Sequence, residues 1–199
     1  MKTERIGLFG GTFAPPHMGH IRAAKLMLRH IRLDELIVMP TYTPPHKIKA
    51  KGDTPEIRLE MCRAAFGDID KVTVSDYEIN KGGISYTVET LEHLSKDGRR
   101  IFLLCGGDMF KSLPTWYQAE RIFSLATIVC IPRYNGEKDE LSALKEEYSE
   151  KYGADKVCQI ITFGTYAAKA AFKGVARILK VPFAESNRLA GLIDTAIDL

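Results

Sequence analysis

The sequence contains no apolar run approaching the roughly 20 residues needed to span a membrane, so no membrane partner is expected. Its start, Met1-Lys2-Thr3-Glu4-Arg5, leads directly into a short strand-like segment. No signal peptide is therefore expected, and a cytoplasmic location is. Cysteine is scarce: Cys62, Cys105, Cys130 and Cys158 are far apart, and none belongs to a CxxC pair. A zinc site needs clustered ligands, so no protein-bound metal is expected, and each thiol sits in a mostly apolar stretch, as reduced core cysteines do. Charge of one sign is also lacking. The 28 Lys and Arg against 25 Asp and Glu leave a net charge of +3. So mild an excess argues against a nucleic-acid partner and fits a local basic pocket for a phosphorylated ligand. Internal repeats and low-complexity linkers are absent.

What is present fills one core. The 199 residues are 45% hydrophobic and 27% charged, enough for a single domain over 1–199 and too few for a second full one. Strand-like and helix-like segments alternate. Strands are expected at 5–9, 35–39, 71–75, 100–105, 126–131 and 156–163. Helices are expected at 19–30, 55–66, 86–95 and 138–151, with Thr54 as N-cap and Pro55 in the first turn of the second. This pattern predicts an α/β fold: a Rossmann-like, doubly wound parallel sheet of about six strands with helices on both faces. Such sheets bind ligands beyond the carboxyl ends of their strands. Here those ends are the loops after Phe9, Met39, Ser75, Cys105 and Ile131.

The first of these loops carries the strongest chemical signal: Gly10-Gly11-Thr12-Phe13-Ala14-Pro15-Pro16-His17-Met18-Gly19-His20. Adjacent glycines after a strand let the backbone approach a ligand and aim amides at phosphate oxygens. His17 and His20, three apart at the mouth of a helix, share one face beside the positive end of its dipole. Imidazoles and helix-terminal amides together suit a triphosphate whose charge grows as its α–β bond breaks. Gly19 removes a side chain between the rings, which would leave room for a base or sugar.

This loop resembles GGTF-x-PPH-x-GH, the signature of the HxGH nucleotidyltransferases, and more narrowly that of the bacterial nicotinate-nucleotide adenylyltransferases. The resemblance runs over roughly residues 5–135. Pro40-Thr-Tyr-Thr-Pro-Pro-His-Lys47 is similar to that family's PPHK loop, and Arg58-Leu-Glu-Met61 to its R-x-x-M helix. Glu78 with Gly83-Ile-Ser-Tyr-Thr87 is similar to its acidic-then-SYT segment. Gly106-Gly-Asp108 resembles its GxD turn, followed by Leu113 and Trp116, and Arg133 closes the fifth strand.

The resemblance implies a reaction: the phosphate of nicotinate mononucleotide attacks the α-phosphorus of ATP, pyrophosphate leaves, and the dinucleotide serves NAD biosynthesis. His17, His20 and Lys47 would be catalytic, with Mg²⁺ bridging phosphate oxygens and no dedicated protein cage for it. ATP would be held by Gly10, Gly11, Thr12, Phe13, His17, His20, Asp108 and Ser186. The pyridine nucleotide would contact Thr12, His46, Lys47, Ser85 and Tyr86. It would also meet the Thr87 and Val88 amides, a Trp116 face, Tyr117 and Arg133. Asp108 could equally cap a helix, and Trp116 could equally pack in the core. ATP and the mononucleotide are the partners implied, and a homo-oligomer is left open.

Two departures from the family pattern stand out. Ala14 occupies a position usually held by Asp or Asn. The ISSTxIR motif that would open a C-terminal helix is missing from the divergent stretch 164–199. Its nearest echo is Glu185-Ser186-Asn187-Arg188-Leu189, with Ala190 where the motif's Arg would stand. Lys169, Lys173, Arg177 and Arg188 could replace the lost charge or form a solvated helix face. Two other readings stay open: another HxGH transferase, such as a pantetheine-phosphate adenylyltransferase, and a non-catalytic nucleotide-binding protein.

Overall fold

The computed structural model describes residues 3–44, 53–95, 98–132, 138–157 and 181–192. The chain divides into two compact units, 1–162 and 163–199. In the first, five parallel strands form one sheet in the order β3-β2-β1-β4-β5, with β1 at Arg5–Gly11, β2 at Glu35–Pro40, β3 at Val72–Val74, β4 at Arg100–Gly106 and β5 at Ala126–Ile131. Val157 adds an isolated parallel bridge to Ile128, where the expected sixth strand begins. Residues 158–163 of that expected strand, with Cys158, lie outside the described residues.

The helices divide between the faces as the alternation of side chains dictates. Helix α1 (Met18–Ile31) covers the face on which Gly7 and Phe9 lie. A Cβ at Gly7 would stand 2.4 Å from Leu33 Cδ1 and 3.3 Å from Met27 Cε. Only glycine lets that packing close. Helix α2 (Pro55–Phe66) joins the same face through Phe66, whose ring meets Phe9 and Phe13 edge-on at 6.4 and 5.9 Å. Thr54 caps it as expected, accepting the Ile57 amide at 3.3 Å. On the opposite face Ile6, Leu8, Ile101 and Leu103 pack with Val88 and Leu91 of α4 (Thr87–Leu94) and with Ile122 and Phe123 of α6 (Ala119–Leu125).

Helix α3 (Tyr77–Lys81), α5 (Gly107–Ser112), a 3₁₀ turn at Leu113–Thr115 and α6 are additions to the expected elements. Helix α7 (Lys138–Tyr152) reaches α5 through Tyr148, whose hydroxyl donates to the Phe110 carbonyl at 3.2 Å. Cys62, Cys105 and Cys130 are buried, as expected of core thiols. Burial pushes the Cys62 thiol up to about 12 despite the nearby Arg58 charge.

The second unit is described only at 181–192, where Phe183–Gly191 forms α8.

Candidate active site

The sheet order reverses direction at β1: the chain proceeds outward to β2 and β3, then returns to β4 on the other side. The register shows what that does at the carboxyl ends. Pairing between β1 and β4 stops at Leu8↔Leu103, while β1 stays paired to β2 as far as Gly11↔Pro40 and β4 to β5 as far as Gly106↔Ile131. The central strands therefore part and open a crevice at the topological switch point. Gly10 is the last residue but one of β1 and Gly106 the last of β4, and a Cβ built at either meets no atom within 4 Å. Their neighbours Leu8 and Cys105 are buried, so the empty space belongs to the crevice and not to a loose core.

Helix α1 opens onto this loop through an unusual cap. His17, in extended conformation, is its N-cap, and the imidazole Nδ1 accepts the Gly19 amide at 3.1 Å. The His17 amide donates in turn to Nδ1 of His20, also at 3.1 Å. This is a capping box built from two histidines, where serine and glutamate are usual. Because both Nδ1 atoms accept, the neutral rings carry their protons on Nε2. The ring centroids lie 3.8 Å apart. The site thus has two N–H donors, held in tautomer and orientation by the helix terminus itself. A Cβ at Gly19 would lie 2.9 Å from His17 Cε1, so glycine there makes room for the capping ring.

Gly11 and Thr12 follow Gly10 on the crevice loop. A Cβ at Gly11 would meet the Phe13 ring at 3.2 Å. Phe13 itself takes a left-handed conformation, φ 49°, and its ring is buried against Phe9 and His20 at 5.2 and 5.1 Å. Phe13 can therefore serve a ligand through its backbone, while its ring braces His20. Asp108 lies in the first turn of α5 and is exposed. The N-cap there is Gly106, so the capping role considered for Asp108 is not the one it has.

A second cluster of the expected residues gathers at the start of α4. Its N-cap, Tyr86, makes no side-chain cap, so the first-turn amides of Thr87 and Val88 have no partner within the helix. The Val88 side chain is core; only its backbone faces outward chemistry. Tyr86 and Tyr117 approach with ring centroids 4.6 Å apart, and Tyr117 is exposed. Trp116 is half-buried against the core, its Nε1 donating to Ser112 Oγ at 3.2 Å. Ser85 is buried and accepts the Tyr42 amide at 2.9 Å.

Two buried residues of evident structural weight were not singled out by their chemistry in the sequence. Arg58, 1% exposed, donates to the carbonyls of Thr12 (3.1 Å), Thr41 (2.6 Å) and Tyr42 (3.0 Å). Asp53 Oδ1 sits 2.8 Å from its Nε but off the N–H direction, an ion pair without a hydrogen bond. Glu78 accepts from Thr90 Oγ1 at 2.5 Å. Burial holds its carboxyl above the usual range, outweighing the hydrogen bonds from Thr90 and Ser85 and the charge of Lys81.

His46, Lys47 and Arg133 lie outside the described residues, as do Lys169, Lys173 and Arg177. In α8 the Ser186 amide donates to the Pro182 carbonyl at 2.9 Å. Arg188 is paired with Glu185 at 2.6 Å, so its charge is engaged within its own helix. Among the described residues no group of three or more His, Cys, Asp or Glu is placed to hold a metal, and no helix is long and apolar enough to cross a membrane.

Comparison with known proteins agrees with this architecture. The cytidylyltransferase-like family model matches residues 8–188. A protein of Clostridium acetobutylicum is 40% identical over 152 residues, 75% of this chain and 76% of its own. One of Clostridium botulinum is 37% identical over 152 residues, 76% of each. Both bear the name probable nicotinate-nucleotide adenylyltransferase. The solved nicotinic acid mononucleotide adenylyltransferase of Plasmodium falciparum, complexed with NaAD, shares the fold at a TM-score of 0.65 with 16% identity, over 82% of this chain and 77% of that one. The chain belongs to the cytidylyltransferase-like family, and within it to the nicotinate-nucleotide adenylyltransferases.

Proposed function

We propose that the protein transfers the adenylyl group of ATP to nicotinate mononucleotide, releasing pyrophosphate, and that it does so in the cytoplasm as a step of NAD biosynthesis. The observation that carries this reading is the histidine capping box. With both Nδ1 atoms occupied by backbone amides, the Nε2–H groups are preorganised donors at the N-terminus of α1, beside the glycine-floored crevice. Donors fixed before reaction stabilise growing negative charge without reorganisation, as the α–β bond of a triphosphate requires.

The remaining roles are those that the family resemblance implies. Gly10, Gly11 and the backbone of Thr12 and Phe13 bring amides to the ATP phosphates. Asp108 completes that side. Lys47 adds a point charge to the phosphates, with His46 beside it, and Arg133 holds the mononucleotide phosphate. The Thr87 and Val88 amides receive the pyridine carboxylate, which favours nicotinate over nicotinamide because an anion gains more from two N–H donors. Trp116 offers a ring face, while Ser85, Tyr86 and Tyr117 shape the pocket. Asp108 would meet the ribose or the metal-bound phosphates of ATP, and Mg²⁺ brought with ATP would supply charge neutralisation there. The attacking phosphate is ionised at neutral pH, so no general base is needed, and catalysis is positioning and neutralisation. The whole of residues 1–199 serves this single function.

The test is pyrophosphate release with ATP, Mg²⁺ and nicotinate mononucleotide, run beside the nicotinamide form. Release preferring the nicotinate form is expected. Folded protein that binds ATP without releasing pyrophosphate would refute the transferase reading and leave a nucleotide-binding protein.

A further inference from the structure

Between Glu4 and Asp34 the chain has no Asp or Glu. Helix α1 lies wholly within this stretch. Its exposed Lys25 and Arg29, with Arg32 at the C-cap, stand at i, i+4 and i+7 on one face, where like charges repel. Elsewhere cations meet carboxylates: Arg63 pairs with Glu60, Lys111 with Glu140 and Arg121 with Glu92. Lys25, Arg29, Arg32 and Lys71 form no ion pair among the described residues. These four line one concavity of about 550 Å³, with Asp34 and Asp70, at the amino ends of β2 and β3. Four cations against two carboxylates leave it a net charge of +2. Cations at a helix C-terminus often answer its dipole. Here Arg5 does so, its Nη2 and Nε donating to the Ile31 carbonyl at 2.8 and 3.1 Å. Lys25 precedes the last turn, and Lys71 belongs to another segment. Arg32 and Lys71 also hold left-handed backbone, φ 53° and 61°. Glycine takes that conformation more easily, so a long cation at both positions points to a use for the charge. The frame around them is fixed: the Asp34 carboxylate accepts the Arg5 amide at 3.0 Å, and the Lys71 carbonyl accepts the Leu36 amide at 2.8 Å.

We propose that this pocket is a second anion site, separate from the crevice, for a small ligand carrying two or more linked phosphates. Arg29 and Arg32 suit phosphate oxygens as planar forks, and Lys25 and Lys71 add point charges. Several phosphate oxygens can engage the α1 wall and Lys71 together. A concavity of this size suits a small molecule, whose sites run to about 300–1,000 Å³. Inorganic polyphosphate and a nucleoside polyphosphate share the phosphate chemistry. Only the nucleoside also brings hydroxyl and amino donors for Asp70. The site stands whether or not the transferase reading holds.

The test titrates the isotope-labelled full chain with tripolyphosphate and, separately, with ADP. Backbone amide shifts are followed at 25–34 and 69–72, beside those at 17–20 in the crevice. Saturable shifts at 25–34 and 69–72 are expected, with a Kd of their own that weakens as salt rises. Tighter binding of ADP assigns the nucleoside form and tighter binding of tripolyphosphate the inorganic one; both support the site. Arg32→Gly and Lys71→Gly should each loosen that Kd about three- to tenfold. Both should keep or raise Tm, since glycine relieves the left-handed backbone, and should leave the response at 17–20 unchanged. Arg29→Gln, at an ordinary helical position, decides if a glycine variant does not fold. Shifts confined to 17–20, or a Kd at 25–34 unmoved in all folded variants, overturn the proposal. So does a short single-stranded oligonucleotide that binds these amides more than about tenfold tighter than tripolyphosphate, which would make the α1 face a nucleic-acid surface.

Discussion

Gly19→Ala is expected to leave the protein folded and cripple it as an enzyme. The substitution adds a Cβ that would lie 2.9 Å from His17 Cε1 and 3.0 Å from its Nδ1. No Cβ tolerates that approach, so the imidazole must swing out and give up the Gly19 amide. The effects on stability nearly cancel. Losing an N-cap costs about 1 kcal/mol, while alanine in place of helical glycine gains about 0.5–1 kcal/mol. A net effect within about 1 kcal/mol moves Tm by no more than about 4 °C in a protein of this size. Activity has no such compensation. The swung ring no longer aims Nε2 where charge develops, and a misplacement of about 1 Å in a preorganised group can cost about a hundredfold in rate. The assay is pyrophosphate release at saturating ATP and mononucleotide, with thermal melts on the same samples and His17→Ala as the reference for total loss of the ring. Turnover of Gly19→Ala within about threefold of wild type would show that the capping geometry does not set the catalytic donor.

Two further outcomes are expected. Gly10→Ala should keep the wild-type Tm, since its Cβ meets no protein atom within 4 Å, yet raise KM for ATP about tenfold by filling the crevice; an unchanged KM would place ATP elsewhere. Glu78 has its folded-state pKa raised above the ordinary 4.5, so the native state holds that proton more tightly than the unfolded chain. Its favourable contribution is fully present below the ordinary pKa and is lost as pH rises through the raised value. Wild type should therefore lose Tm relative to Glu78→Gln as pH rises above the ordinary carboxyl range, and a constant difference would refute the raised pKa.

Most of the framework could be read from the sequence because it is long-range and periodic. Strands with five consecutive buried residues, such as Glu35–Pro40 and Arg100–Gly106, announce themselves, and α1 and α2 run for three turns or more with capping residues in place. The elements passed over are short. Tyr77–Lys81 and Gly107–Ser112 complete little more than a turn, too little for a 3.6-residue period to appear, and they form because neighbours hold them. The site shows the same division. His17 and His20 were legible as a pair, since three-residue spacing at a helix mouth fixes their common face. The use of both Nδ1 atoms as backbone caps was not, because it depends on the χ angles that Gly19 permits. Arg58 was hardest to see: arginine is mostly exposed, and nothing local marks one that bonds three carbonyls from two other loops.

That the crevice lies between β1 and β4 follows from how the chain uses β1. As the first strand it sits centrally, with β2 on one side and β4, which begins 65 residues after β2 does, on the other. The crossover helix after β1 must leave toward β2, carrying the backbone of Gly10 and Gly11 with it. Strand β4 turns at Gly106 into α5. Two strands whose continuations diverge cannot stay paired to their ends, and their ladder stops at Leu8↔Leu103. The N-terminus of α1 is then pinned beside the opening by the short loop from β1. Any chemistry needing donors at fixed positions has only to place them in the first turn, as His17 and His20 are placed. In this chain the direction of winding selects the location of the site, and a few residues at the strand ends select its chemistry.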